Sequence, residues 1–183
     1  MNPDFPAAIH PVTLSDIPAL AKLATATFIE TFGHLYAPED LNAFISNARS
    51  EHAYHRLLKD PTVRIWLATS QDADPIGYAV AGSCKLPVVN LEKNAGEIRE
   101  LYVRAAFQQH QLGTRLLSAA LEWLNLQNRK PLYVGVWSEN LGAQRLYGRF
   151  GFQKVAEYDF PVGRQIDREF ILKQPLLGRL PSK

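Results

Sequence analysis

A polar loop that runs directly into a helix carries the clearest chemistry in this chain. A strand predicted over 97–103 is followed by Gln108-Gln109-His110-Gln111-Leu112-Gly113-Thr114 and then by apolar residues at helical spacing. A loop that closes on a helix N-terminus presents unpaired backbone N–H groups and the positive end of the helix dipole. This arrangement binds pyrophosphate, so the loop is a candidate anion site.

A second candidate lies on the predicted helix 140–150. Asn140, Ala143 and Tyr147 are spaced i, i+3, i+7, which places them in line on one helical face with a small residue between two polar ones. An extended ligand can lie across such a face. The alternative is structural: Asn140 is the helix N-cap and Tyr147 is a core aromatic with a hydrogen-bonded hydroxyl.

Two glutamates on the predicted strand 97–103 are candidate bases. Side chains alternate along a strand. Unless a bulge resets the register, one face therefore carries Glu97, Arg99, Leu101 and Val103, and the other carries Ile98, Glu100 and Tyr102.

The positions of apolar residues and turn formers predict the elements that hold these candidates. Strands are expected over 9–13, 63–69, 76–86, 97–103, 132–137, 152–160 and 168–172, and helices over 15–28, 38–47, 51–58, 113–128 and 140–150. Strands 63–69 and 76–86 should pair as a hairpin. The strands before and after helix 113–128 should be parallel, since a crossover helix permits this. The order predicts an α/β fold with a mixed, mostly antiparallel sheet flanked by helices.

Composition and charge narrow the function classes. The 183 residues are 46% hydrophobic and 21% charged, which suits one globular domain with a real core. A net charge of +2, without a basic stripe interleaved with aromatics, argues against a nucleic-acid partner. The single cysteine, Cys84, excludes an internal disulfide and suits a reducing compartment. No signal-peptide pattern or long apolar stretch is present, so a cytoplasmic location and no membrane partner are expected.

The loop and helix 140–150 together resemble the GNAT N-acetyltransferase superfamily. Its loop has the form Arg/Gln-x-x-Gly-x-Gly/Ala; Gln108 and Gly113 match, whereas Gln111 stands where the family has its middle glycine. A second family block matches Asn140-Leu141-Gly142-Ala143-Gln144-Arg145-Leu146-Tyr147 followed by Phe150-Gly151-Phe152. The segments 31–36 and 159–168 look like the PaiA-type branch, which acetylates polyamines.

The resemblance implies a single N-acetyltransferase domain over 1–183, with six to seven strands and a V-shaped cleft after the fourth. It implies acetyl-CoA as co-substrate, no metal, and direct transfer to a primary amine with Tyr147 as general acid toward the thiolate. Glycine lets a loop backbone approach phosphate closely and take positive φ; Gln111 forfeits this freedom if its position needs φ > 0, whereas other backbone conformations would accept it. The residues expected to bind the co-substrate are Leu101, Tyr102, Val103, Gln108, Gln109, His110, Gln111, Leu112, Gly113, Thr114, Asn140 and Ala143.

The amine needs a base. At pH 7 an amine with a pKa of ~10.4 is unprotonated in about one molecule in 2,500, and reaching the neutral form costs roughly 4.6 kcal/mol. Glu97 and Glu100 are the candidates, directly or through a water, and Glu100 is preferred because it lies nearer the expected cleft. The competing interpretation for either residue is a surface or ion-paired glutamate.

The acceptor is the least constrained part of the prediction. A small amine or polyamine is the first choice, with Glu30, Glu39, Asp40 and Asp159 available to a polycation. Scattered acidic residues are more often simply solvated. The alternative function is a non-catalytic acyl-CoA-binding module whose pyrophosphate loop has drifted at Gln111. Family members are often homodimers, but nothing in this sequence bears on that.

Overall fold

The computed structural model describes residues 6–174 and contains one seven-stranded sheet. The strands are β1 (Ala8–Pro11), β2 (Val63–Thr69), β3 (Pro75–Ser83), β4 (Gly96–Val103), β5 (Leu132–Trp137), β6 (Gln153–Val162) and β7 (Gln165–Gln174). Their order across the sheet is β1-β2-β3-β4-β5-β7-β6, and every neighbouring pair is antiparallel except β4 and β5. This is the mixed, mostly antiparallel sheet that the sequence predicts.

Five α-helices flank the sheet in the described range. They are α1 (Ile17–Phe32), α2 (Pro38–Ala48), α3 (Glu51–Lys59), α4 (Leu112–Leu126) and α5 (Leu141–Arg149). Each of the five predicted helices is present with ends shifted by a few residues. The predicted N-cap of the first helix is wrong. Ser15 lies in a 3₁₀ turn before α1, and Asp16 is the N-cap.

Apolar stripes on the helices cover both faces of the sheet. Leu112, Leu116 and Leu124 of α4 pack with β-strand residues on one face, and Ile17 and Leu20 of α1 pack with the opposite face. Fully burying a side chain of this size contributes about 1.5–3 kcal/mol. The sheet therefore lies between α4 on one side and α1 with α3 on the other, with one hydrophobic core on each face.

The contact between β4 and β5 is short. The two parallel strands pair only from Gly96 to Ile98 and from Leu132 to Val134, although each continues for several residues beyond. Past these pairs the strands are no longer joined, which leaves the V-shaped opening expected after the fourth strand. Helix α4 forms the crossover between them, as predicted.

A bulge in β4 changes which side chains share a face. Val80 of β3 pairs with Glu100, but its neighbour Ala81 pairs with Ile98, so Arg99 is the extra residue. An extra residue shifts the alternation by one position. The simple alternation is therefore wrong upstream of Arg99: Ile98 packs with the α4 core, whereas Glu97 lies on the α1 side together with Tyr102.

Candidate active site

The predicted anion-binding loop leads into α4 in a left-handed conformation. Gln109 has φ +66° and Gln111 has φ +57°, and Gln111 is the N-cap of α4. A non-glycine residue in this region costs roughly 1–2 kcal/mol. The position where the family has its middle glycine thus has the left-handed conformation although glutamine occupies it. The side chain of Gln108 donates from Nε2 to the backbone oxygen of Val103 at 3.2 Å and ties the loop to β4.

The first turn of α4 leaves space beside its backbone. A Cβ built on Gly113 would lie 3.6 Å from Leu146 Cδ2 and 4.0 Å from Val103 Cγ2, both ordinary contacts. Nothing within the protein therefore requires glycine at this position. Glycine leaves no side-chain atoms beside the amides of the helix N-terminus, where an anionic ligand would approach.

A groove of about 900 Å³ runs between this loop and α5. We call it the α5 groove. Its walls bring together most residues that the sequence singled out, namely Leu101, Val103, Gln108, Gln109, Gln111, Leu112, Gly113, Thr114, Asn140, Ala143 and Tyr147. Two of the residues predicted to bind the co-substrate lie elsewhere. His110 is not part of the wall, and the ring of Tyr102 lies on the other face of the sheet.

Helix α5 presents its predicted face to the groove. Asn140 accepts a hydrogen bond from the backbone N–H of Ala143 at 3.0 Å, so it is the N-cap as well as a wall residue. Tyr147 is 5% exposed and packs edge-on against Phe152, with ring centroids 6.0 Å apart. Burial raises the pKa of the Tyr147 phenol, which keeps it protonated and able to donate.

A second, smaller cavity of about 290 Å³ lies on the opposite face of the sheet. We call it the aromatic cavity. Its apolar wall is formed by rings from α1, from the turn after it and from three strands, namely Phe28, Phe32, Tyr36, Tyr102, Trp137, Tyr158 and Phe160. Its polar lining includes three carboxylates, Glu97, Asp167 and Glu169. Aromatic faces and carboxylates are the groups that attract an alkylammonium ion.

Glu97 is a buried carboxylate with a backbone partner. It is 7% exposed, and its Oε2 accepts a hydrogen bond from the backbone N–H of Lys85 at 2.6 Å. Burial raises the pKa of Glu97, while the Lys85 N–H partly offsets this rise. A carboxyl with a raised pKa is a better proton acceptor than an ordinary glutamate, which suits a general base.

Glu100 has its carboxylate occupied within the protein. Its Oε2 accepts hydrogen bonds from Tyr54 Oη at 2.9 Å and Tyr78 Oη at 2.8 Å, and it lies 2.5 Å from Arg49 Nη1. Glu100 does not line the aromatic cavity. The preference for Glu100 over Glu97 as base therefore disagrees with the geometry, because the Arg49 ion pair and the tyrosines hold it away from the opening.

Two further carboxylates of the cavity come from β7. Asp167 accepts a hydrogen bond from the Tyr36 hydroxyl, and Glu169 accepts one from the Tyr158 hydroxyl. Burial raises the pKa of Glu169, and the neighbouring charges of Asp167 and Glu97 raise it further. A Cβ on Gly135 would lie 2.8 Å from Tyr158 Oη and 3.0 Å from Glu169 Oε2, so glycine in β5 is what admits this pair.

Comparison with known proteins decides the family. A model of the "Acetyltransferase (GNAT) family" matches residues 18–152. The chain belongs to the GNAT family. This confirms the resemblance derived from the two sequence blocks, together with the expectation of an N-acetyltransferase and of acetyl-CoA as the co-substrate of this class of enzyme.

Individual relatives agree with GNAT membership. An uncharacterized N-acetyltransferase in the pepI 3′ region of Lactobacillus delbrueckii subsp. lactis is 26% identical over 166 residues, which is 91% of this chain and 95% of that protein. The spermine/spermidine N(1)-acetyltransferase of Bacillus subtilis is 30% identical over 92 residues, 49% of this chain and 59% of that protein. The crystal structure of PaiA N-acetyltransferase from Thermoplasma acidophilum in complex with coenzyme A has a TM-score of 0.72 at 18% identity, covering 92% of this chain and 98% of that chain. The last likeness shows that the fold is that of GNAT structures.

The acidic residues that the sequence offered to a polycation have other positions in this GNAT fold. Glu30 accepts hydrogen bonds from Arg104 Nε at 2.9 Å and from the backbone N–H of Ala105 at 3.0 Å. Glu39 and Asp40 both pair with Arg164. None of these, nor Asp159, lines the aromatic cavity. Of the cavity carboxylates, Asp167 belongs to the segment 159–168 that the resemblance assigned to the acceptor region, whereas Glu169 was missed, although its i, i+2 spacing from Asp167 on β7 places both on one face.

A cysteine nucleophile or a metal ion would need suitable side chains beside one of the two spaces. Cys84 is buried, lines neither the α5 groove nor the aromatic cavity, and has its pKa raised by burial to about 11. Within residues 6–174, no group of three or more His, Cys, Asp or Glu side chains is arranged to hold a metal ion. None of the helices in that range has the length and apolar character needed to cross a membrane.

Proposed function

We propose that this GNAT protein transfers an acetyl group from acetyl-CoA to a small primary amine by direct attack, without a covalent enzyme intermediate. One observation carries the proposal. The α5 groove and the aromatic cavity lie on opposite faces of the sheet and adjoin where β4 and β5 separate. Two substrates that enter from opposite faces meet at this opening.

The α5 groove fits acetyl-CoA by the chemistry of its walls. The main-chain amides of the loop around Gln111 and Gly113 suit the diphosphate, and the absence of a side chain at Gly113 permits close approach. The pantetheine arm would follow the edge of β4 at Leu101 and Val103, which β5 leaves unpaired. Backbone groups at that edge would also polarise the thioester carbonyl, a contribution that is often the largest in acyl transfer.

Proton transfers are assigned to two buried side chains. Glu97, on the face of the aromatic cavity, takes a proton from the incoming ammonium, directly or through a water. The neutral amine attacks the thioester carbonyl carbon, so that a C–N bond forms and the C–S bond breaks. Tyr147, on the face of the α5 groove, gives a proton to the departing sulfur. The attacking nitrogen loses its second proton as the amide forms, and that proton restores the Tyr147 hydroxyl. Overall, the ammonium loses two protons: one is balanced by the proton on the CoA thiol, and the one taken by Glu97 passes to solvent.

The lining of the aromatic cavity favours a cationic acceptor. Glu97, Asp167 and Glu169 place three carboxylates around a space that aromatic rings enclose. Three cationic side chains, Arg49, Lys85 and Arg99, line the cavity as well. Arg49 pairs with Glu100, Arg99 donates to the backbone oxygen of Ser83, and Lys85 is exposed. An ammonium ion would pair with the cavity carboxylates, and methylene groups of an alkyl chain would pack on the rings. We therefore propose a polyamine or diamine as the first acceptor class to test. The relative from Bacillus subtilis that is named for spermine and spermidine supports this choice.

A non-catalytic acyl-CoA-binding module is the competing function. Its basis was the glutamine at position 111. Gln111 adopts φ +57°, a conformation in which glycine is favoured, so glutamine has not removed the left-handed turn at this position and gives little support to a drifted loop. The buried Glu97 and Tyr147, one beside each cavity, also favour an enzyme.

Calorimetry and a thiol-release assay test the proposal together. Acetyl-CoA binding is measured first, and free CoA thiol is then followed with spermidine, putrescine, butylamine, amino acids and aminoglycosides. We expect binding, and turnover that is faster with putrescine than with butylamine, which has the same chain length but one ammonium. Binding without turnover on any amine would favour the module. Equal turnover of putrescine and butylamine would support acetyltransferase activity but contradict the proposal that the acceptor is a polyamine or diamine.

A further inference from the structure

Trp137 occupies the junction of the two spaces. Among the residues that the structure describes, it alone lines both the α5 groove and the aromatic cavity. It is the last residue of β5, and it lies three positions beyond Val134, where the pairing of β5 with β4 ends. Its indole therefore borders the opening between the strands.

The Trp137 side chain packs against a row of aromatic rings. Its ring packs edge-on against Phe32 of α1, with centroids 5.7 Å apart and an interplanar angle of 74°. Phe32 is itself packed against Phe28 at 5.0 Å and Tyr102 at 6.5 Å. Displacement of the Trp137 ring toward Phe32 would also disturb the contacts of Phe32 with its own neighbours, so the packing opposes it.

The Trp137 backbone is equally constrained. Its carbonyl oxygen accepts hydrogen bonds from the backbone N–H of Asn140 at 3.0 Å and from Gln144 Nε2 at 3.2 Å, which fixes the end of β5 to the start of α5. In the sheet Trp137 pairs with Glu169 of β7. The backbone that carries the indole is thus fixed, and Phe32 packs against the ring.

We propose that Trp137 sets the length of the acyl group that this protein accepts. The inference rests on the proposed function in one respect: the thioester carbonyl must reach the opening from the α5 groove to meet an amine in the aromatic cavity. The acyl chain then projects past the carbonyl toward the Trp137 ring. An acetyl methyl fits against this wall, whereas a butyryl chain adds two methylenes that meet the indole.

Binding of acetyl-CoA and butyryl-CoA tests the proposal without any acceptor. Misfit of a methylene in a rigid pocket changes discrimination by about tenfold or more. We expect the wild-type protein to bind butyryl-CoA at least about tenfold more weakly than acetyl-CoA. In Trp137→Leu, which shortens the wall but keeps an apolar side chain, the two affinities should become similar. Equal affinities in the wild type, or an unchanged ratio in folded Trp137→Leu, would overturn the proposal.

Tryptophan fluorescence provides a second readout if Trp137→Leu fails to fold. Trp66 and Trp123 pack on each other at 5.9 Å and line neither space, so only Trp137 should report on the bound thioester. Acetyl-CoA should change the emission of the wild type and of the matched control Trp123→Phe, but not that of Trp137→Phe. A response that persists in Trp137→Phe contradicts the placement.

The two proposals fail separately. A protein that discriminates between the thioesters but acetylates no amine retains this inference and loses the proposed function. A protein that transfers acetyl and butyryl groups to amines equally well, and binds both thioesters equally, retains the function and loses the role of Trp137.

Discussion

Arg49, which ends α2, forms a buried ion pair with Glu100 of β4, with Nη1 and Oε2 2.5 Å apart and side chains only 9% and 12% exposed. The guanidinium also lies over the rings of Phe28 and Tyr102, at 5.4 and 5.5 Å from their centroids. This pair joins the helix above the aromatic cavity to the strand beneath it. Its geometry assigns Glu100 to the architecture rather than to proton transfer.

Replacement of Glu100 should therefore affect folding more than chemistry. Glu100→Gln leaves the Arg49 charge buried without its partner, which typically destabilises a protein by about 3–5 kcal/mol. Urea denaturation measures this loss. The remaining folded protein should acetylate amines at a rate close to that of the wild type. A variant of unchanged stability with kcat reduced about a hundredfold would restore Glu100 as the base.

Glu97→Gln should show the opposite pattern. The base acts when deprotonated, so kcat/KM of the wild type should rise with pH through the raised pKa of Glu97, above the range of an ordinary carboxyl. In the variant, kcat/KM should no longer rise with pH in this range, and kcat should be about a hundredfold lower than in the wild type. The measurement is the pH profile from acid to neutral. A rise with pH that persists in the variant would exclude Glu97.

Stability provides the control for Glu97. A folded pKa raised by burial means that this group stabilises the fold below its unfolded pKa and that the contribution is lost as pH rises through the folded pKa. The glutamine variant keeps an oxygen for the Lys85 N–H and buries no charge. Its Tm at neutral pH should therefore be equal to or higher than that of the wild type.

Tyr147→Phe should lower kcat by about a hundredfold, since it removes the proton donor for the leaving thiolate. The ring remains to pack against Phe152, so the affinity for acetyl-CoA should change little. Thiol release under saturating amine gives kcat, and calorimetry gives the affinity. An unchanged kcat would remove Tyr147 from the acid role.

Gly113→Ala separates ligand binding from protein packing. The added methyl meets no protein atom closer than 3.6 Å, and alanine favours a helix over glycine by about 1 kcal/mol, so stability should not fall. Affinity for acetyl-CoA should drop about tenfold if the methyl occupies the approach to the loop amides, a loss of about 1.4 kcal/mol. Gly148→Ala on α5 is the matched control, because its Cβ meets nothing within 4 Å and it does not line the groove. Equal affinities in both variants would contradict the placement of the diphosphate.

The spacing of apolar residues in the sequence was sufficient to predict many of the strands and helices. Strands 63–69 and 132–137 have the predicted bounds, and the crossover helix between two parallel strands is where the pattern requires it. The groove wall was predictable as well, since a loop before a helix and one face of a short helix are local features. These elements depend on neighbours in the chain.

The remaining features depend on contacts between distant segments. The bulge at Arg99 follows from the pairing of β4 with β3 and has no signature in residues 97–103. Arg49 looks like a solvated helix end, and only its approach to Glu100 shows that it is buried. The pairing of Tyr36 with Asp167 joins residues 131 positions apart. Such contacts decided which glutamate faces the cavity, and the sequence pattern could not rank them.

The three residue pairs between β4 and β5 have a consequence for solubility. Strand edges with free amides and carbonyls normally invite a strand from another molecule and promote aggregation. Here the two free edges face each other within the wedge, flanked by α4 and α5, instead of lying at the rim of the sheet. Backbone hydrogen-bonding groups inside the wedge can therefore contact a narrow ligand, whereas a strand of another molecule cannot reach them.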